Sequence, residues 1–279
     1  MPGMAFGQKF EIKGTVKGLG KEGIPYATIT LKNKNRGFIT DEKGNFQLSV
    51  TNNDTVFVSS PGFKTSTIYI KNLQVISPIF VRLLPQRNTL IDTTEAVRTF
   101  QNSSMTGIYN VHSDDSHRSA IGQCIALKIE NPTKKEAFLG DIYAKFDKKS
   151  IAQTQLRIRV FSIDPTTGYP ANDLLEENVI VTVDSKNFSF NVEKYKISVP
   201  AEGCFIGFDW IEMPLMLKKL PLIYDQHKQA DFLRPFLKTT LKVCNAKTFA
   251  RVFASEWSDW KPLSGQCPSN ALIAATLKY

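Results

Sequence analysis

Residues 23–62 read GIPYATITLKNKNRGFITDEKGNFQLSVTNNDTVFVSSPG, and this stretch decides the fold. Ile29 and Leu31 alternate with Thr28, Thr30 and Lys32, the period-2 pattern of a half-buried strand. Asp41-Glu42-Lys43-Gly44 makes a turn, because Asp41 can accept from the backbone ahead of it and Gly44 tolerates positive φ. Phe46, Leu48 and Val50 resume the alternation, so Gly37–Val50 is expected to be a hairpin with a bulged turn. Asn52-Asn53-Asp54 predicts the next turn and Val56-Phe57-Val58 the next strand. Ser60-Pro61-Gly62 fits a type II turn, with Pro61 fixing φ and Gly62 supplying a positive one.

Working outward, Lys9–Lys17 predicts a first strand with Phe10, Ile12, Gly14 and Val16 on one face. Thr67–Ile70 and Ile79–Leu83 complete a sandwich of about seven strands with no helical period. The order Gly14-x-Val16, then GIPYATI, TDEKGNF and SPGF resembles the carboxypeptidase regulatory-like domain, a small transthyretin-like β-sandwich. The resemblance covers residues 9–85 and implies a largely non-catalytic domain of exported, Gram-negative (Bacteroidetes-type) envelope proteins. A fused metallocarboxypeptidase would need zinc-ligand spacing, and none of His112, His117 or His227 has a Glu three residues on.

Residues 86–106 are polar and mixed and read as a linker, with Leu90–Val97 a strand or a helical turn. From residue 107 to 279 the strand pattern returns. Leu156, Ile158 and Val160 alternate with Arg157 and Arg159, which predicts one buried and one solvated face. Gly203–Trp210 is the most apolar run and is expected to be central. Residues 156–183 (LRIRVFSIDPTTGYPANDLLEENVIVTV) and 197–211 (ISVPAEGCFIGFDWI) resemble a jelly-roll or galactose-binding-like module. Such modules often bind carbohydrate, and many make only protein contacts. The expected fold is therefore all-β: a small transthyretin-like sandwich followed by a larger jelly-roll-like one. Residues 213–242, with Pro214, Pro221 and Pro235, interrupt the pattern and read as a loop insertion with one helical turn near Gln226–Leu233.

The chain has 279 residues and a formal net charge of +9, which draws it toward anionic partners. Its lysines occur in pairs rather than tracts, and no nucleic-acid-binding motif is visible. No apolar run is long enough for an integral membrane span, and too few residues follow the first domain for a transporter barrel. Ala5-Phe6-Gly7 before Gln8 resembles the small-x-small end of a secretory signal peptide, which favours an exported protein: periplasmic, outer-membrane-associated or at the cell surface.

Four cysteines, Cys124, Cys204, Cys244 and Cys267, admit one or two disulfides or buried thiols. Cys124 and Cys204 sit in apolar strands and suit thiols; Cys244 and Cys267 border irregular segments and are the better disulfide candidates. No CxxC spacing exists, so redox catalysis and structural zinc are not expected.

For function, Trp257 and Trp260 are the sharpest ligand-binding candidates, since pyranose C–H faces stack on indoles. Asp259 could accept from sugar hydroxyls, and Tyr224 could line the same site. The competing reading puts one indole in the core and the other over a loop. His112-Ser113-Asp114-Asp115-Ser116-His117 is the densest group of possible metal ligands, but a polar surface loop explains it as well, and neither metal nor cofactor is expected. Asp209, Glu212, Asp225 and Glu256 are the acids a hydrolase would draw on, without any spacing that marks an enzyme. The expected role is a non-catalytic envelope protein that binds a glycan or a partner protein, or docks as a structural or assembly subunit.

Overall fold

The computed structural model describes residues 9–20, 22–32, 37–70, 78–86, 100–117, 119–147, 154–211, 235–245, 247–253, 255–260 and 267–279. The signal-like Ala5–Gln8, the Leu90–Val97 segment and residues 213–234 of the insertion lie outside them. The chain is all-β and divides into two compact units, residues 1–87 with 252–255 and residues 88–251 with 256–279.

The first unit is a sandwich of two sheets. In one, β1 (Lys9–Lys17) lies between antiparallel β4 (Asn45–Thr51) and parallel β7 (Ile79–Arg82). The other runs in the order β3 (Gly37–Ile39), β2 (Thr28–Leu31), β5 (Thr55–Ser59), β6 (Ser66–Tyr69). Alternation decides what meets between them: Ile12, Val16, Leu48 and Val50 from one sheet pack against Ile29, Leu31, Val56 and Val58 from the other. The Phe63 amide closes the Ser60-Pro61-Gly62 turn onto the Ser60 carbonyl at 3.1 Å, with Gly62 at φ 78°.

The expected Gly37–Val50 hairpin does not form. Its two strands belong to different sheets, β3 pairing with β2 and β4 with β1. The turn is a corner between layers, and Thr40 fixes it. The buried Thr40 hydroxyl accepts from the Ala27 amide at 2.8 Å and donates to the Ile24 carbonyl at 3.1 Å. Asp41 then takes the Lys43 and Asn45 amides at 2.9 and 2.7 Å. Gly44 sits at φ 76°, and a Cβ there would lie 2.6 Å from the Val16 carbonyl oxygen.

In the second unit, β8 (Ser103–Gly107) already pairs with the last strand, so residues 103–106 are sheet rather than linker. Next come β9 (Asp115–His117), β10 (Gln123–Ile129), β11 (Ala137–Lys145), β12 (Thr154–Ile163), β13 (Pro170–Asp173), β14 (Ile180–Val183) and β15 (Asn187–Asn191). After a 3-10 turn at Glu193–Tyr195 follow β16 (Ser198–Val199), β17 (Cys204–Trp210), β18 (Leu237–Thr240), β19 (Thr248–Val252), β20 (Ser258–Asp259), β21 (Asn270–Ala271) and β22 (Ile273–Lys278). Thus Leu237–Thr240, inside the segment read as a loop insertion, is a strand paired with β9 and β21.

A seven-stranded sheet in the order β13-β12-β17-β10-β19-β20, with β14 also on β12, shares a core with a five-stranded sheet in the order β15-β11-β22-β8, with β16 on β11. Ile125, Leu127, Ile158, Val160, Ile206 and Phe208 meet Leu139, Ile142, Ala144, Ile273, Ala275 and Leu277 across it. β17 is central, and all seven of its residues are buried. Burial on both faces accounts for its unbroken apolar run.

The outward face of this sheet is not solvated as the Arg157–Arg159 alternation predicted. Arg157 is 1% exposed, and Arg159 is largely buried. Asp209 lies directly opposite Arg157 on β17, so the charge has an in-register partner instead of water.

Candidate functional site: the charged and aromatic face of the large sheet

Strand register builds this face in rows. Across β12, β17 and β10 one row is Arg157, Asp209, Cys124; the next is Arg159, Gly207, Ala126; the third is Phe161, Phe205, Lys128. Gly207 leaves the middle row without a side chain at its centre. A Cβ there would stand 2.7 Å from the Ile125 carbonyl oxygen and 3.0 Å from the Ala126 Cβ. β19 adds Phe249 and Arg251 beside β10, the β12–β13 corner adds Tyr169, and the start of β20 adds Trp257.

Asp209 is the hub of the ion pairs. Arg157 donates to its Oδ2 through Nε at 2.8 Å, and Arg159 through Nη1 at 2.9 Å. Arg159 also donates through Nε to Asp173 at 2.6 Å, and Arg157 through Nη1 to Asn178 at 3.2 Å. Burial pushes the Asp209 carboxyl upward, but the Arg159, Arg157 and Arg251 guanidiniums outweigh it and hold it well below the usual carboxylate range. Burial, and after it the Asp209 charge, pushes the Cys124 thiol far up, so Cys124 is neutral and adds no charge.

Arg251 stands apart. Its guanidinium lies 4.4 Å over the Trp257 ring and 5.2 Å from the Phe161 ring centre. Its Nε–H is shielded from solvent and has no acceptor. Trp257 meets Phe161 edge-on at 5.3 Å, and Tyr169 and Phe205 meet Phe249 at 4.9 and 5.4 Å.

Of the residues singled out from sequence, Trp257 lies half-buried on this face. Trp260 is half-buried on the other cluster, packing against the inter-sheet core and edge-on to His117 at 4.4 Å. Asp259 between them is exposed, its backbone paired to Phe249. The two indoles therefore do not share one platform. Tyr224 lies outside the described residues, as do the acids Glu212 and Asp225. Glu256 is exposed, and Asp209 is ionised within its guanidiniums, so it has no proton to lend a leaving group at neutral pH.

The His112–His117 group is occupied by structural duties. Asp114 accepts from the Leu241 amide and the Thr240 hydroxyl at 2.8 and 2.9 Å, and His117 hydrogen-bonds Gln123 at 3.1 Å. Among the described residues no group of three His, Cys, Asp or Glu side chains could hold a metal ion. Cys244 and Cys267 form a disulfide, while Cys124 and Cys204 are buried thiols. The two thiols cannot pair, because alternation puts Cys124 on the charged face and Cys204 in the inter-sheet core.

Sequence reading missed Arg157, Arg159, Asp173 and Arg251 as a unit. The available signal was Asp209 itself, a lone carboxylate inside the otherwise apolar run Cys204–Trp210. Such a group demands a partner, and only cations from other strands could supply it.

Among the described residues no helix is long and apolar enough to cross a membrane. No curated protein matches the chain. Among solved structures, the cysteine protease and lectin-like domains of Cwp84, a surface layer associated protein of Clostridium difficile, align at 12% identity with a TM-score of 0.37. That alignment covers 93% of this chain and 55% of the other, so the chain spans little more than half of that protein's length. BcpA, the major pilin subunit of Bacillus cereus, aligns at 11% identity with a TM-score of 0.20, covering 95% of this chain and 69% of the other. Superpositions this loose support neither a shared fold nor a shared function. Residues 12–92, less than a third of the chain, match the family of the CarboxypepD_reg-like domain, which agrees with the N-terminal resemblance carried by the Gly14-to-Phe63 motifs.

Proposed function

We propose that the chain is a non-catalytic binding protein of the cell envelope, exported from the cytoplasm, whose jelly-roll-like second domain holds a glycan. The match of residues 12–92 supports the non-catalytic part for the N-terminal domain, and the envelope part rests on the resemblance carried by its motifs. In this reading residues 9–85 are a rigid spacer, and recognition belongs to residues 107–279 with the strand at Ser103–Gly107. The observation that carries it is Trp257: a half-buried indole, its ring fixed by Phe161 and Arg251, with part of its own surface open. Asp259 and Tyr224 are assigned as further contacts, and Trp260, which packs on the inter-sheet core and not on the Trp257 platform, serves as the comparison. Retention on immobilised polysaccharides tests this, comparing wild type with Trp257→Ala and Trp260→Ala. Stacking on Trp257 predicts loss of retention in the first variant, and equal retention by all three proteins would sink it.

A second reading, a subunit that docks on another envelope protein, has its own observation. β6 and β7 are edge strands of the first unit and carry Tyr69 and Phe80, 68% and 67% exposed. Edges with no further strand beside them among the described residues, and with exposed aromatics, suit addition of a partner strand. A chain that copurifies with nothing from envelope extracts would count against it.

A further inference from the structure

We infer that Arg251, stacked on Trp257, receives the carboxylate of an acidic sugar, a uronic acid, which rests on the glycan reading above and names its ligand class. The charges on this face do not balance. Three guanidiniums (Arg157, Arg159 and Arg251) face two carboxylates (Asp173 and Asp209), and both carboxylates are bound by Arg157 and Arg159. Arg251 is left with no carboxylate within ion-pair distance among the described residues, and its Nε–H has no acceptor. Burial loosens its hold on its proton, and the Arg159 charge beside it adds to this. A half-buried guanidinium, crowded by a second cation and without a carboxylate of its own, gains from an anion brought to its open side.

The form of the site selects the anion. Trp257 and Phe161 hold the guanidinium plane in place, so little freedom is lost when a ligand meets it. A fixed guanidinium fork matches the two parallel oxygens of a carboxylate. Trp257, on which it stacks, keeps part of its own surface exposed. An indole next to a fixed cation is what a sugar ring carrying a carboxylate needs: a C–H face for the ring and a fork for the acid. The chain's overall +9 charge would draw any polyanion, so the test must separate the site from the general field.

The full chain is titrated with polygalacturonate and with the same polymer after reduction of its carboxyl groups to the neutral galactan, with folding of every protein checked by circular dichroism. Wild type is expected to bind the acid form about tenfold more tightly, the weight of one charge-assisted hydrogen-bond pair. Arg251→Gln and Arg251→Lys are both expected to lose that preference while binding the neutral polymer as before, the lysine because it keeps charge but not the fork. Trp257→Ala is expected to lose both polymers. Lys186→Gln, which removes the same charge at an exposed position elsewhere, is expected to behave as wild type. Equal affinity of wild type for the two polymers overturns the acid-sugar assignment and leaves the glycan reading standing. Binding of neither polymer overturns both. A loss in Lys186→Gln equal to that in Arg251→Gln overturns the site in favour of diffuse charge, and retention of the preference by Arg251→Lys overturns the fork.

Discussion

Asp209 accepts from Arg157 and Arg159 at once, and its place as the next-to-last residue of a wholly buried strand makes it a point of failure in the second unit. Removing one partner of a buried pair leaves the other charge uncompensated, which costs far more than the intact pair contributes. Asp209→Ala is therefore expected to destabilise the fold by about 3–5 kcal/mol, seen as a lower urea midpoint. A midpoint within error of wild type would show that the guanidiniums find other partners. His117 supplies the pH dependence. Burial against Trp260 lowers its pKa, the Gln123 hydrogen bond and the Asp115 charge opposing, so the folded state favours the neutral ring. The unfolded chain then binds the extra proton first as pH falls below the ordinary histidine value of about 6.5. Stability is full above that value and declines beneath it until the folded ring also protonates. Between about pH 7 and pH 5 wild type should lose melting temperature that His117→Gln does not lose.

At the scale of elements, the Thr40–Gly44 corner shows how one hydroxyl routes a chain between layers. Thr40→Ala strands the Ala27 amide inside the sandwich and should cost about 1–3 kcal/mol, whereas Thr40→Ser keeps the hydroxyl and should recover most of it. Equal loss in both variants would mean that the methyl packing, not the hydrogen bond, holds the corner. The same corner marks where sequence becomes illegible. Turn chemistry at Asp41-Glu42-Lys43-Gly44 was plain, and so were the strands on either side, because both are local. Their partners were not: β3 bonds to β2, while β4 bonds to β1. A tight turn serves a hairpin and a sheet-to-sheet corner alike, and only long-range pairing distinguishes them. The Arg157–Arg159 alternation failed for the same reason. A period of two reports that two faces differ, and water was assumed on the polar one; Asp209, fifty-two residues from Arg157 in sequence, stands there instead. Cys204–Trp210 was legible as a central strand because burial on both faces leaves an unbroken apolar run. Trp257 was legible as a candidate, whereas Arg251 was not, since what marks it is the absence of a partner in space.

At the scale of the molecule, each unit has its own core, and the disulfide belongs to the second. Cys244 and Cys267 close a loop of 23 residues that carries β19 and β20, the two strands bearing Arg251 and leading from Trp257. Buried Asn270 reinforces the closure from within, donating to the Val243 and Pro268 carbonyls at 2.9 and 3.0 Å and accepting from the Thr248 hydroxyl at 2.9 Å. Chain-entropy arguments give a loop of this length about 3 kcal/mol of stabilisation. All three tryptophans, Trp210, Trp257 and Trp260, lie in the second unit, so tryptophan fluorescence follows its unfolding without a contribution from the first. Replacing Cys244 and Cys267 together by serine should lower the fluorescence-detected stability by about that amount. The remaining thiols report separately. Burial pushes Cys204 up to about 12 and Cys124 also well above its ordinary value, so both are protonated as well as enclosed. A thiol reagent should label neither in the native protein and both after unfolding in denaturant. Labelling of Cys124 in the native state would mean that the charged face opens to solvent faster than the core, and reagent access there, slowed by a bound polyuronate, would locate that opening at the Arg251 margin.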